Sequence, residues 1–163
     1  MSKKLFPLVI VLVSLSLVGQ AAAQQHQNTT YTGGQYITPK GDAAGIFDPG
    51  YGLTGTTRVP LASSLDFVIE GGWYKLKSRN DVPAETGYEP GDLSVLSAMI
   101  GLILKGGPLE FGAKGGYFFS GLHEWDVVPF AQLALGRWAI GYEYKLLGKM
   151  NWSAVYLNYR WQK

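Results

Sequence analysis

Arg137-Trp138-Ala139-Ile140-Gly141-Tyr142-Glu143-Tyr144-Lys145-Leu146 and, after a break at Gly148–Asn151, Ala154-Val155-Tyr156-Leu157-Asn158-Tyr159-Arg160-Trp161 are the residues on which the fold turns. Taken two at a time, Trp138, Ile140, Tyr142, Tyr144 and Leu146 share one face, and Ala139, Gly141, Glu143 and Lys145 the other. Beyond the break Val155, Leu157, Tyr159 and Trp161 oppose Ala154, Tyr156, Asn158 and Arg160. A period of two predicts strands. One face is bulky and aromatic, the other small or charged, which is the pattern of a membrane β-barrel with an apolar outside and a polar inside.

The N-terminus is of another kind. Ser2-Lys3-Lys4 is basic, Leu5–Val18 is apolar, and Ala21-Ala22-Ala23 offers a cleavage site. This predicts a secretory signal peptide over residues 1–23. The apolar run is short for a membrane helix, and no Cys follows it to carry a lipid anchor. Removing Lys3 and Lys4 takes the formal charge from +2 to zero, so no basic stripe suggests a nucleic-acid partner. An exported chain without Cys is stabilised without disulfides. The 22 Gly residues and the 13% aromatic content favour an all-β protein with tight turns.

Within the remainder, residues 24–34 are polar and read as a flexible segment, with the barrel proper over residues 35–163. A first strand is placed within Gln35–Phe47, interrupted by Pro39 and Gly41, and Asp48-Pro49-Gly50 reads as a turn. Tyr51–Val59 alternates and ends at Pro60, with a short turn over Pro60–Ser63. Leu65, Phe67, Ile69 and Trp73 then oppose Asp66, Val68, Glu70 and Tyr74. Leu93–Leu104 is apolar on both faces, which leaves its register open and a buried helix as the alternative; Gly101 and the Gly106-Gly107-Pro108 turn favour a strand. Leu109–Phe119 and Trp125–Leu135 alternate clearly.

The expected fold is therefore an all-β, eight-stranded antiparallel up-and-down transmembrane β-barrel. With both termini on the inner side, the tight turns Pro60–Ser63, Lys105–Pro108 and Gly136–Arg137 fall inside and the long polar loop Ser78–Gly91 outside. Trp73, Trp125 and Trp152 then lie near outer strand ends, and Trp138 and Trp161 near inner ones, as in aromatic girdles at two interfaces. Trp152 fits by depth but falls on the lumen-facing parity.

Arg58, Asp66, Glu70, Glu110, Lys114, Asp126, Glu143, Lys145 and Arg160 all have inward parity. Their near-balance of sign predicts an ion-pair network that fills the lumen, since eight strands enclose only enough space for side chains. Acid/base catalysis by these carboxylates would need a cleft and a nucleophile beside them. His123, in the loop before Trp125, is the other chemical candidate. The only other His is His26, so no multi-His metal site is expected, and no cofactor-binding loop is present.

The chain resembles the small eight-stranded outer-membrane barrels of the OmpA and OmpX type. The resemblance rests on Gly50-Tyr51-Gly52-Leu53-Thr54-Gly55, Gly71-Gly72-Trp73-Tyr74, Val128-Pro129-Phe130-Ala131-Gln132-Leu133-Ala134-Leu135-Gly136 and the aromatic last strand. It implies a bacterial outer-membrane location, with outer-membrane lipid and the barrel assembly machinery as partners. Members usually end on an aromatic residue; here Gln162 and Lys163 follow Trp161. The lipid A deacylases are similar in size, but their His-x-Ser pair is absent, because Trp125 stands two residues after His123. The reading is a non-enzymatic barrel with a structural or surface-interaction role. Its candidate surface residues are Arg79, Asp81, Glu85, Tyr88 and Glu89 in the long loop. The alternatives are an outer-membrane lipid-modifying enzyme and a soluble secreted ligand-binding barrel of the lipocalin kind, whose bulky face would point inward.

Overall fold

A computed structural model describes residues 28–79, 91–119, 123–146 and 150–161. The stretch read as a signal peptide lies outside these residues. The strands are β1 (Thr29–Lys40), β2 (Phe47–Ala62), β3 (Leu65–Ser78), β4 (Leu93–Gly106), β5 (Leu109–Phe119), β6 (Glu124–Leu135), β7 (Trp138–Tyr144) and β8 (Asn151–Trp161). A single helical turn, α1 (Ala43–Ile46), joins β1 to β2. Each strand pairs antiparallel with its sequence neighbour, and β8 returns to β1 to close the barrel. Closure leaves no sheet edge, which the hydrocarbon of a bilayer requires because it offers backbone groups no partner.

Alternation fixes what faces where. Leu53, Ile100, Phe111, Ile140 and Leu157 are exposed on the outer wall, while Val68, Tyr74, Phe118, Val128 and Tyr156 are buried inside. The strands at Leu65–Ser78, Leu109–Phe119, Glu124–Leu135 and Asn151–Trp161 keep the predicted parity. The open register of Leu93–Leu104 is settled as a strand: Leu93, Val95, Met99 and Ile103 face in, and Leu96, Ile100, Leu102 and Leu104 face out. Because the bulky face points outward, the soluble ligand-binding barrel is excluded.

The first strand departs from expectation. It begins at Thr29, so Thr29–Gly34 belongs to the wall and the barrel starts before Gln35. The reason is closure: from Thr30↔Trp161 to Lys40↔Asn151 this strand satisfies β8, and from Thr29↔Arg58 to Ile37↔Gly50 it satisfies β2. Asp48-Pro49-Gly50 is not the turn. The chain reverses at Gly41 (φ +56°) and α1, and Asp48–Tyr51 is a bulge inside β2. Pro60 does not end β2, which runs on to Ala62 after a second register shift; the reversal is at Ser63–Ser64. A proline disrupts a ladder least where the pattern is already broken. The same holds for Pro129, the residue at which β6 parts from β7, since their pairing starts only at Phe130↔Glu143.

The inner reversals at Gly107–Pro108 and Gly136–Arg137 are tight, with Gly107 (φ 69°) and Gly136 (φ 65°) in the left-handed region that favours glycine. Glycine has a second use in the wall. A Cβ on lumen-facing Gly141 would lie 2.4 Å from the ring of Tyr156. The bare backbone there lets a large inward side chain lie flat across its neighbour, and the lumen fills.

Candidate functional site

In the lumen, acidic and basic side chains from adjacent and non-adjacent strands meet in tiers. Near the inner end, Arg58 of β2 donates to Glu110 of β5 at 2.7 Å, and its guanidinium lies 4.3 Å from the ring centre of Tyr31. Gln132 of β6 also donates to Glu110. Beside them Lys105 pairs with Asp66 at 2.6 Å. At mid-depth the Lys114 ammonium of β5 sits between two carboxylates, 2.7 Å from Glu70 of β3 and 2.7 Å from Glu143 of β7. Thr56 donates to Glu70, and the Tyr156 hydroxyl donates to Gln132. Toward the outer end Lys145, fully buried, bridges Glu124 and Asp126 and donates to the Met150 carbonyl. The rings of Phe118 and Trp152 lie 5.1 Å from its ammonium.

Each charge in this interior would be costly alone and is tolerable because it is paired and hydrogen-bonded. Arg160 stands apart from the pairs: it is only half-buried, and its Nε has no partner. Lys105 and Glu124 complete two pairs that the sequence reading left incomplete. Lys105 has the inward parity of Ile103, but the open register of β4 hid it; Glu124 shares the parity of Asp126, one residue before the expected strand start.

Between the middle and outer charges lies an apolar plug. Ile37, Phe47, Tyr74, Leu76, Val95, Met99, Phe118, Val128 and Trp152 form one buried cluster. Trp152 packs against Tyr74 and Phe118 with ring centres 5.9 and 5.5 Å apart, so it belongs to the plug and not to the girdle. Its inward parity on β8 overrides its depth. The other Trp residues lie on the outer wall. Trp73 packs on Tyr51 and donates to Ser94, and Trp125 packs on Tyr117. Trp138 and Trp161 both pack on Tyr159, and Trp161 donates to Thr32.

A cavity of about 10 Å³ remains among the inner and central charges, about the least that can hold one water. Purified protein in a planar bilayer is therefore expected to show no stable, wide conductance step. Reproducible large single-channel steps would contradict a filled lumen.

The outer rim holds the remaining candidates. The Arg79 backbone N–H donates to the Ile46 carbonyl at 2.9 Å, which ties the root of the long connection to α1. Lys75 pairs with Asp92 across the β3–β4 ladder at 3.2 Å. Its ammonium and the Ser78 backbone N–H hold the Asp92 carboxyl below the usual carboxylate range. Asp81, Glu85, Tyr88 and Glu89 lie outside the described residues. His123 is exposed just before β6, with φ +50°. Among the described residues no cluster of His, Cys, Asp and Glu is arranged to hold a metal ion.

A scan against protein-family models and a search among curated proteins find no match. Among solved structures, the chain is similar to Ail, the attachment invasion locus protein of Yersinia pestis, with a TM-score of 0.52 and 13% identity over 85% of this chain and all of that one. It is also similar to a chain from a de novo design of transmembrane β-barrels, with a TM-score of 0.51 and 16% identity over 84% of this chain and all of that one. What it shares with both is the fold, a closed eight-stranded transmembrane β-barrel of the kind that the small outer-membrane proteins adopt.

Proposed function

We propose that the protein is a non-enzymatic barrel of the bacterial outer membrane, exported by a signal peptide over residues 1–23, that presents its outer connections to a surface partner. The observation that carries this reading is the sealed interior. With the lumen filled by ion pairs and an apolar plug, the wall serves as a rigid mount, and interaction falls to the connections at its outer end. The connection from Ser78 to Leu93 joins β3 and β4, which are paired from Leu65↔Leu104 to Leu76↔Leu93, and can change without disturbing that ladder. Ail, by its name, is an attachment and invasion protein, and a similar role on the same fold is consistent with this design. Exposed Trp161 and half-buried Tyr159, packed together on the last strand, are the residues the assembly machinery would read.

Shortening residues 78–91 to a tight turn is expected to leave folding and membrane insertion intact and to abolish surface interaction. Cells carrying the short form would be compared with wild type for adhesion, and intact wild-type cells would be treated with protease. Unchanged adhesion, or a loop shielded from protease in intact cells, would refute this role.

A further inference from the structure

The cavity among the inner and central charges is lined by Gln35 of β1, Arg58 of β2 and Asn158 of β8, among others. All three side chains are more than nine-tenths buried, at 6%, 4% and 7% exposure. Each carries one polar atom without a partner: Gln35 Oε1, Arg58 Nε and Asn158 Oδ1. A buried polar group left unsatisfied costs about 1–3 kcal/mol, and here the three residues that carry such groups line the same space.

We propose that this cavity is a binding site for one structural water molecule, which bridges β8, β1 and β2. The chemistry selects the ligand. Two of the orphan atoms are carbonyl oxygens that accept, and the third is a guanidinium N–H that donates. A water donates twice and accepts, so it satisfies all three at once, and about three hydrogen bonds is the usual complement of a buried water. A cation would meet the Arg58 donor and the nearby Lys114 ammonium. An anion would meet two carbonyl oxygens, Glu70 and Glu143, which line the same cavity. The volume of about 10 Å³ suits a single water.

Its position gives the site a role. Gln35 and Asn158 belong to the first and last strands, whose pairing closes the barrel. Asn158 also lies over Gly33, where a Cβ would fall 1.8 Å from its Oδ1, so the bare Gly33 lets the amide lie against the β1 wall. The water links the lumen side of the seam to the Arg58–Glu110 pair. The plug around Trp152, by contrast, is built of apolar side chains.

The test is water-to-protein magnetisation transfer by NMR on the full chain refolded in lipid nanodiscs, with the side-chain amides and methyl groups labelled. Wild-type protein is expected to show water cross-peaks at the Gln35 and Asn158 side-chain amides and none at the methyls of Val95, Met99 and Val128. Asn158→Leu, which removes one acceptor and fills the space, is expected to abolish the Gln35 cross-peak. Loss of that peak with the remaining backbone spectrum retained supports the proposal. Absence of both amide cross-peaks from wild type, equal hydration of the plug methyls, or a Gln35 peak unaffected by Asn158→Leu overturns it. The wild-type measurement decides the matter even if the variant does not fold.

Discussion

Lys114→Met should destabilise the barrel by about 3–5 kcal/mol, because it removes the one cation held between Glu70 and Glu143 and leaves two carboxylates buried without a counter-charge. Methionine keeps most of the volume of the side chain, so the loss reports charge and not packing. The triple replacement Glu70→Gln, Lys114→Met, Glu143→Gln should recover most of the lost stability, since a buried ion-pair group can be exchanged for neutral residues of similar size at little cost. Urea unfolding in lipid vesicles at constant pH measures all three proteins. A Lys114→Met barrel as stable as wild type would mean that the central triad is not what neutralises the lumen.

The second large effect is expected on the opposite face. Leu157 is exposed on the outer wall, opposite Ile140 on β7, beside the midpoint of β8 and one outward-facing position beyond Tyr159. Leu157→Arg should cost about 2–4 kcal/mol near the bilayer midplane. Thr30→Arg, on the same face but opposite Trp161 at the inner end, should cost less than about 1 kcal/mol. The same unfolding assay separates them. Equal losses at the two positions would show that the aromatic band at Trp161 does not mark the interface.

Much of this was legible in the sequence because one physical rule, apolar out and polar in, writes itself onto alternate residues. β3, β5, β6 and β8 carry large apolar side chains on the outer parity and their charged lumen residues on the inner, so their register could be read even though Tyr74, Phe118 and Trp152 also point inward. β1 could not be read in the same way. Its first outward residues, Thr30, Thr32 and Gly34, are not bulky, and its place in the wall is set by pairing with β8, a partner more than a hundred residues away in sequence. Asp48-Pro49-Gly50 misled for a related reason: local turn chemistry there is overridden by the ladder with β3 and is absorbed as a bulge. In the lumen, parity identified the charged residues but not their partners. Which base meets which acid depends on how far each strand is staggered around the barrel, and that quantity is not written in any single strand. Trp152 shows the limit in reverse, since its depth suggested the girdle while its parity placed it in the plug.

The cross-lumen pairs also constrain how the barrel is made. Arg58–Glu110 joins β2 to β5, and Lys114 joins β5 to β3 and β7; in none of these three pairs are the two strands neighbours. An unrolled sheet of the same eight strands keeps its hydrogen-bond ladders but holds these charges too far apart to neutralise one another. Such a sheet, pushed into hydrocarbon, would present bare ammonium and carboxylate groups to lipid. Half-inserted states are thereby penalised, and insertion is tied to curling, which the pairing of β8 with β1 completes.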